Sequence, residues 1–462
     1  VGLILRGPGF HEGTTTINDG YFQIRHDAVG TSAITLNGTL GSAQRIQFVN
    51  AAGTGTSGTL VNPISVNAGK EGNFFIWGSF TTTVNQAIAG GDATSVIRKT
   101  DVGTLLLSAN NTYNAQTIVD AGTLQLGSGG TTGAINSSAA LAINGSGILS
   151  VNRSGSINLS DVLPGTAGDV LPIFGAADAR LNYTGTSQAD TLTVDQDLGS
   201  NLANGQLRVS SGTMTLASGV DLTMRSISVG HTTAASGNIG TLNVGTGVNV
   251  TLTPAATSVA AISLGDSGGN AGIMNVTGGS VITNSTAAGS IRVGHWAGTG
   301  SVLNISGGSL STPNGRLAIG WDGEGTLNMT GGTINALAVS IDGNGAGPAS
   351  VANLNGGDLR IGGNGMNTLG QGTINANGGK ITCTAGNTLS VPRTMLSNGL
   401  TVAFDSATTN INITDNCVTS GSGPLTILNE SSTGDKNYTI NANSPSYSGA
   451  VSVPSGVRLQ LQ

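Results

Sequence analysis

The chain repeats one phrase six times within residues 226–382, and the clearest copies read GIMNVTGGSVI (272–282), SVLNISGGSL (301–310) and GTLNMTGGTIN (325–335). Each clear copy alternates apolar and polar residues and then reaches a pair of glycines. This alternation has the period of a β-strand, glycine pairs are typical of turns, and no helical period is present. The array is therefore interpreted as short strands separated by glycine-rich turns.

One asparagine holds the same place in every copy of the phrase. The matching positions are Asn243, Asn275, Asn304, Asn328, Asn353 and Asn375. In the strand Leu303-Asn304-Ile305, alternation directs the leucine and isoleucine to one face and the asparagine to the other. If the apolar pair faces inward, the asparagines form an outer column in which amides hydrogen-bond from coil to coil. These six residues are the predicted structural ladder.

A second phrase lies between the copies, an apolar-x-apolar pair that runs into a glycine or an aspartate. Its predicted copies are ISVGHT (227–232), ISLGDS (262–267), IRVGHW (291–296), LAIGWD (317–322), VSIDGN (339–344) and LRIGGN (359–364). A unit of about 24 residues cannot bury a core alone, because ordering its backbone costs more free energy than the burial returns. Stacked units pair equivalent strands and collect apolar side chains in columns. We predict an all-β fold, a right-handed parallel β-helix (β-solenoid) that forms one continuous rod.

Composition narrows the classes of function. Of the 462 residues, 75 are glycine, 3% are aromatic and 9% are charged, and the net charge is −6. Ordinary globular domains carry about 25% charged residues. The absence of a basic run predicts that nucleic acid is not a partner. No apolar run approaches the roughly 20 residues of a membrane helix, so membrane insertion is not expected either.

A resemblance to a known family rests on RKTDVGTLLLSANNTYNAQTIVDAGTLQLGSGG at residues 98–130. The positions that carry it are Lys99, Thr100, Gly103, Thr104, Leu105, Leu107, Ser108, Asn111, Tyr113, Thr117, Val119, Gly122, Leu124 and Leu126. This run resembles the autotransporter-associated β-strand repeat, although Asp101, Ala109 and Ala115 replace glycines of the family's pattern. The resemblance implies a secreted bacterial β-helical passenger or surface protein, and it brings no catalytic motif.

The chain is divided by how closely each segment follows a repeat. The predicted segments are 1–102, N-terminal β-helix coils; 103–130, the autotransporter-associated repeat; 131–225, coils with an excursion near 160–205; 226–382, the regular array; and 383–462, C-terminal coils. Because the chain opens at Val1 in the middle of a strand pattern, a processed or excerpted piece of an extracellular or cell-surface protein is expected. Cys383 and Cys417 form either a disulfide between nearby coils or two buried thiols.

The sequence Gly265-Asp266-Ser267-Gly268-Gly269 spells a serine-protease nucleophile motif. The array explains the same letters as a recurrent turn, so no catalytic residue and no cofactor is expected. At that turn a column is expected to carry His231, Asp266, His295 and Trp321, with Trp296 and Asp322 beside it. This column is either a site for sugar or metal, or variation at a solvent-exposed turn, and variation is favoured because turn tips tolerate change.

Acidic glycine turns also invite calcium, and the candidates are Asp322, Glu324 and Asp342. The nonapeptide repeat that builds a calcium-binding β-roll is absent, so these three residues are weak candidates and no metal site is predicted.

The leading functional hypothesis is a non-enzymatic structural subunit of an extracellular filament or surface layer. A solenoid end carries unpaired backbone groups, and a head-to-tail contact between two such ends does not close, so self-assembly into a homopolymer is expected. The alternative is a monomeric adhesin, an autotransporter passenger that binds a host or glycan ligand. A third possibility is a β-helical polysaccharide-degrading enzyme, which needs two carboxylates converging with an arginine or lysine.

Overall fold

A computed structural model describes most of the chain. The described residues are 2–5, 13–24, 30–42, 45–48, 54–166, 179–198, 205–231, 237–254, 259–266, 269–296, 300–342, 350–363, 365–368, 372–385, 387–390, 394–405, 411–415, 419–431, 436–440 and 446–461. They form two compact units. Unit 1 contains residues 1–208, 212–214 and 220–224, and unit 2 contains residues 209–211, 215–219 and 225–462.

Unit 1 is built from short strands of three to five residues. Its strands are β1 Gly2–Leu5, β2 Thr15–Ile17, β3 Tyr21–Ile24, β4 Ile34–Leu36, β5 Arg45–Phe48, β6 Gly58–Leu60, β7 Ile64–Val66, β8 Glu71–Phe75, β9 Thr81–Val84, β10 Ile88–Gly90, β11 Val96–Thr100, β12 Thr104–Leu107, β13 Gln116–Val119, β14 Thr123–Leu126, β15 Ala140–Ile143, β16 Ile148–Val151, β17 Ser156–Asn158, β18 Arg180–Thr184 and β19 Thr191–Val194, with β20 Gln206–Leu216 divided between the units and β21 Asp221–Met224 again in unit 1.

Unit 2 holds the array and the C-terminal coils. Its strands are β22 Ser226–Val229, β23 Ile239–Val244, β24 Asn249–Leu252, β25 Ile262–Leu264, β26 Ala271–Thr283, β27 Ile291–Val293, β28 Ser301–Ile319, β29 Gly325–Met329, β30 Thr333–Ile341, β31 Val351–Leu354, β32 Asp358–Ile361, β33 Met366–Thr368, β34 Thr373–Cys383, β35 Asn387–Ser390, β36 Thr394–Phe404, β37 Ile411–Asp415, β38 Thr419–Gly421, β39 Leu425–Asn429, β40 Lys436–Ile440, β41 Ser446–Tyr447, β42 Val451–Ser452 and β43 Val457–Leu461.

Parallel pairing between successive coils builds the core of unit 1. Leu105 pairs with Leu124, Leu124 with Leu149, and Leu149 with Leu181, so four leucines form one column. Each of the four is at most 1% exposed. Burying one such side chain contributes about 1.5–3 kcal/mol. Columns of this kind, repeated at each inward position, stabilise coils that have no core of their own.

The array of unit 2 follows the same rule with a longer column. In register this column contains Leu242, Met274, Leu303, Leu327, Ala352 and Ile374. All six are buried, at 1% exposed or less. The inward direction predicted for Leu303 is the one observed.

The strands of the array are longer than expected because they bend instead of ending at the glycine pairs. Strand β26 runs through Gly278-Gly279, with shifts of register against β28 around Thr277. At the equivalent corner Gly308 has φ +66°, and a Cβ there would lie 2.1 Å from the carbonyl oxygen of Gly279. A glycine is therefore required at this corner, since successive coils approach backbone to backbone.

The register corrects one part of the sequence interpretation. LRIGGN (359–364) is not a copy of the second phrase, because Leu359 pairs with Ile334 and Ile381, which belong to the strands that follow the glycine pairs. The sixth copy is Met366–Thr368, which pairs with Val339–Ile341. The glycine after an apolar pair in LRIGG gave a false match.

The predicted fold class is confirmed: the chain is all-β and its parallel strands form a β-solenoid. Among the described residues the helical content is a single 3₁₀ turn, Leu159–Asp161. No helix in the described ranges has the length and apolarity to cross a membrane. The handedness, the continuity of one rod and the segment boundaries stay predictions.

Candidate functional site

The six ladder asparagines lie in register on successive coils of unit 2. Each Nδ2 donates to the Oδ1 of the asparagine one coil before, over distances of 2.7–2.9 Å. The first member, Asn243, donates to Thr215 Oγ1 at 3.1 Å. The side chains are partly buried. This geometry gives every interior amide both an acceptor and a donor, which stabilises the spacing of the coils.

The second phrase ends at a sharp corner of the array. Gly230, Gly265, Gly294 and Gly320 there have φ values of 74–75°, and Asp342 takes the same place with φ 62°. Ile262 pairs with Ile227 and with Ile291, which aligns Asp266 between the two histidine turns. The predicted recurrent turn at 265–266 thus has the conformation of its neighbours. Ser267 and Gly268 of the protease-like motif lie outside the described residues.

Asp266 accepts hydrogen bonds from two neighbouring coils. Its Oδ2 accepts from Ser228 Oγ at 2.5 Å and lies 3.1 Å from His231 Nδ1, and its Oδ1 lies 2.8 Å from His295 Nδ1. Burial alone would raise the pKa of Asp266, but the bonds from His231, His295 and Ser228 outweigh it and hold the pKa far below its usual range. The carboxylate is therefore ionised and acts as a clamp between coils.

His295 is held in one tautomer by the groups on its two sides. Arg292 Nη1 lies 2.9 Å from His295 Nε2, and because arginine only donates, Nε2 accepts. Nδ1 then carries the proton that the Asp266 carboxylate accepts. The guanidinium carbon of Arg292 also lies 4.6 Å from the centre of the Trp321 ring. The column of predicted residues is thus one bonded network, in which the polar groups are occupied with each other.

Trp296 and the calcium candidates lie around this corner. Trp296 is 58% exposed with φ 61°, and its ring centre lies 5.5 Å from that of His295. Asp322 is exposed and Asp342 is buried, so these two carboxylates do not share an environment. Within the described ranges no group of three or more His, Cys, Asp or Glu side chains has the arrangement of a metal site. Asp322, Glu324 and Asp342 stay weak candidates on sequence alone.

A charge cluster joins the last coils of the array to the coils that follow in unit 2. Arg360 pairs with Asp358 at 3.3 Å and also with Asp405, and Lys380 lies 2.6 Å from Glu430 and 3.6 Å from Asp358. The hydrogen bond with Asp405 raises the pKa of Arg360 most, and burial acts against it. Carboxylates do converge here with an arginine and a lysine. Every one of the five groups has an oppositely charged neighbour, as expected for ties between coils.

Cys383 is fully buried at the end of β34. Cys417 lies outside the described residues, so the choice between a disulfide and two buried thiols stays open.

In unit 1, Lys99 points inward yet its amine is satisfied. Its Nζ donates to the backbone carbonyls of Thr100, Asp101 and Ala121 at 2.9, 2.5 and 3.1 Å. Burial lowers the pKa of Lys99 from 10.5 to about 8, while the charge of Asp101 acts in the opposite direction. Three acceptors match the three N–H groups of an ammonium. The lysine therefore joins two successive corners through their carbonyl groups.

Two further residues of the same stretch, Asn111 and Tyr113, also form hydrogen bonds inside the solenoid. Asn111 accepts from the Ile88 amide at 3.0 Å and donates to the carbonyls of Ala109 and Ala134 at 3.0 and 2.9 Å. Tyr113 is fully buried, and its hydroxyl lies 2.8 Å from Thr117 Oγ1. Asn111 thus joins its coil to the coils on both sides, whereas the Tyr113 bond lies within one coil.

Residues 97–126 match the family model of the passenger-associated-transport-repeat. This match agrees with the resemblance seen in the sequence and covers the coil that contains Lys99, Asn111 and Tyr113. No curated protein and no solved structure matched the chain.

The passenger repeat departs from its pattern at Asp101 without changing the turn. Asp101 has φ 64°, in the left-handed region that glycine adopts most readily. Its carboxylate accepts a hydrogen bond from the Val102 amide at 2.6 Å. Such a local hydrogen bond is one reason why aspartate tolerates this region. The replacement of glycine therefore keeps the corner that Lys99 binds.

Sequence reasoning missed two sets of ties in unit 1. Asn67 donates to Asn37 at 2.8 Å, and Asn37 donates to Asn18 at 2.7 Å, which makes a second asparagine ladder. The available signal was that each asparagine directly follows an apolar strand end.

The second missed set is an ion ladder. Arg98 binds Glu71 and Asp120, each at 2.8 Å. Burial would lower the pKa of Arg98, but its bonds to Glu71 and Asp120 raise it above the usual value. No sequence signal announced this ladder, because its members do not recur.

Proposed function

We propose that this chain is a scaffold without catalytic activity from a secreted or cell-surface protein of the autotransporter-passenger type. The observation that carries the proposal is the passenger repeat at 97–126, whose matched residues Lys99 and Asn111 join successive coils of a solenoid. A stack of coils gives length with few residues per coil, and its outward side chains are free to vary. These are properties that suit a stalk outside the cell.

The location is tested in cells that produce the protein. An antibody against the chain is applied to intact cells, to the culture medium and to lysed fractions, with a cytosolic enzyme as control. The proposal expects signal on intact cells or in the medium, with the surface signal removed by protease added outside. Signal restricted to the cytosolic fraction would contradict the proposal.

Head-to-tail assembly is the finer form of the proposal. In strand β43, Leu459 continues the column of Tyr438 and Leu461 that of Ile440, and Leu461 is 72% exposed. Val451 and Val453 are each 38% exposed beside it. A further coil would cover these apolar side chains, and the proposal commits to a coil of a second copy. The alternative cover is a continuation of the same polypeptide.

Electron microscopy and sedimentation of the purified protein separate these outcomes. Filaments that shorten when Leu461→Lys is introduced are expected. Discrete particles at all concentrations would remove the filament and leave the passenger scaffold in place, since that rests on location and on the repeat.

A second candidate function, cleavage of polysaccharide, is favoured by one observation. Asp358, Asp405 and Glu430 converge with Arg360 and Lys380 on one sheet face. Incubation with acidic and neutral polysaccharides, followed by an assay for new chain ends, tests it. Release of ends by the wild type and not by Arg360→Gln would support an enzyme, and no release from any substrate would support the scaffold.

A further inference from the structure

The outward face of strands β3, β5 and β8 in unit 1 carries mixed polar, charged and aromatic residues, unlike the column of asparagines in the array. On it lie Tyr21, Gln23, Arg45, Gln47, Asn73 and Phe75, and these six residues are called the rung face. The register aligns Tyr21 with Arg45, Gln23 with Gln47, and Ile46 with Phe74. The alternate residues Phe22, Ile24, Ile46 and Phe74 are buried at 4% or less, which directs the rung face away from the core.

Arg45 is the first distinctive feature of the rung face. Its guanidinium carbon lies 4.6 Å from the centre of the Phe75 ring, and the residue is exposed. Within the described part of the chain no carboxylate pairs with it, whereas Arg98 on a following coil is neutralised by Glu71 and Asp120. In a chain of net charge −6, a guanidinium that no carboxylate of the described ranges neutralises favours an anionic group.

The amide and phenol groups of the rung face supply hydrogen bonds of both kinds. Gln23 Nε2 lies 3.0 Å from both Tyr21 Oη and Gln47 Oε1, and the Tyr21 hydroxyl donates to Gln47 Oε1. Gln47 is buried at 4%, whereas Tyr21 and Gln23 are partly exposed, so these two can exchange partners for the hydroxyls of a ligand. The network is therefore suited to a ligand rich in hydroxyl groups.

Aromatic rings border the same network. Phe75 ends β8 and is partly exposed, and Trp77 follows two residues later, beyond the strand. Trp77 is 50% exposed, although aromatic residues make up only 3% of the chain. An exposed indole offers an apolar face to a ring-shaped ligand.

We infer that the rung face, together with Trp77, binds an acidic polysaccharide, a chain of sugars that bear carboxylates. Arg45 meets a carboxylate, Gln23 and Tyr21 meet hydroxyl groups while the buried Gln47 holds both in place, and the rings of Phe75 and Trp77 meet the apolar faces of sugars. Coils about 4.8 Å apart present these groups along a flat sheet, which suits an extended polymer. The inference concerns a ligand and does not depend on the proposed location or on self-assembly.

The test measures binding of the whole chain to an oligogalacturonate by calorimetry. Its methyl ester is the uncharged comparison, and polyglutamate is the anionic peptide comparison. The wild type is expected to bind the oligogalacturonate and to lose most of that affinity on esterification. Arg45→Gln is expected to weaken binding about tenfold, because a charge-assisted hydrogen bond is lost. Trp77→Ala is expected to weaken it severalfold.

Arg316→Gln in unit 2 is the matched control, since it removes one positive charge by the same substitution far from the rung face in sequence. It is expected to leave binding unchanged, and thermal unfolding of each variant verifies that the fold is intact. Unchanged binding by Arg45→Gln, or equal weakening by Arg316→Gln, would overturn the site. Binding of polyglutamate as tightly as the oligogalacturonate would overturn the assignment to saccharide.

Discussion

Units 1 and 2 stack coils by the same parallel pairing but tie them together on their outward faces in different ways. The array of unit 2 repeats one amide on six successive coils, with hydrogen bonds of 2.7–2.9 Å. Unit 1 combines a shorter asparagine ladder, Asn18, Asn37 and Asn67, with ties between unlike residues, such as Arg98 between Glu71 and Asp120. The uniform ladder stabilises the spacing of the coils. Unlike residues on a face can also bind a ligand, as inferred for the rung face.

The largest effect is expected from a corner glycine of the array. Gly308→Ala forces φ +66° on a residue with a side chain and brings its Cβ to 2.1 Å from a backbone oxygen. We expect a loss of more than about 3 kcal/mol in the free energy of unfolding of unit 2. Gly300→Ala is the control, because Gly300 has φ +79° and nothing within 4 Å of an added Cβ. Its expected cost is about 1 kcal/mol. The free energy of unfolding of unit 2 is measured by hydrogen exchange. An equal loss in the two variants would contradict the close approach of the coils at Gly308.

Next in size is Lys99→Met in the passenger repeat. It leaves three corner carbonyls without their donor, so we expect unit 1 to lose about 2–3 kcal/mol and unit 2 to keep its protection from hydrogen exchange. Lys70→Met, at a partly exposed lysine of the same unit, is expected to cost less than about 0.5 kcal/mol.

Lys99 also predicts a dependence on pH. Its pKa is about 8 in the fold against 10.5 as the usual value, so between these pH values the unfolded chain binds the extra proton. The free energy of unfolding of the wild type therefore rises from pH 8 to pH 10.5, by about 3 kcal/mol, relative to Lys99→Met. Parallel pH profiles of the two proteins in urea unfolding would be inconsistent with a buried ammonium.

Asp266→Asn is expected to have a smaller effect, of about 1–2 kcal/mol at neutral pH, because an amide replaces the ionised acceptor of three bonds. The depressed pKa of Asp266 means that its stabilisation is present above the usual carboxylate range and is lost as the pH falls through the folded pKa. As the pH is lowered from 5, the free energy of unfolding should fall more steeply for the wild type than for the variant. The same slope in both would show that the clamp contributes nothing.

The smallest effect separates the middle of the ladder from its end. Asn304 makes two ladder bonds and Asn375 makes one. Asn304→Ala is expected to cost about 1 kcal/mol and Asn375→Ala about half of that, since the side chains are only partly buried. If thermal unfolding ranks the two variants in the opposite order, the ladder is not a set of additive bonds between coils.

The fold could be predicted because stacking makes every coil obey the same local rule. Alternation around Leu303 and the glycine pairs were sufficient to indicate strands, inward columns and a solenoid. The second phrase failed at LRIGGN because glycine follows strands at more than one corner, and letters alone do not identify the corner. Strand lengths failed for a related reason, since β26 bends through its glycines instead of ending there.

Contacts between unlike residues outside the repeated turns were beyond sequence reasoning. Arg98 reaches Glu71 and Asp120 through separations of 27 and 22 residues, which depend on the lengths of individual coils. The same holds for Arg45 over Phe75, since their strands follow loops of unequal length. The passenger repeat was recognisable because its motif recurs in other proteins, although the role of Lys99 as a donor to corner carbonyls required coordinates.

The division of roles between the two units is tested most directly by hydrogen exchange mass spectrometry of the whole chain with and without an oligogalacturonate. The account predicts slower exchange in peptides that cover β3, β5 and residues 71–80, and no change in peptides that cover the asparagines of β26, β28 and β29. Protection from exchange in the array, or in neither unit, would contradict the claim that unit 1 binds the ligand and that the array of unit 2 serves only as scaffold.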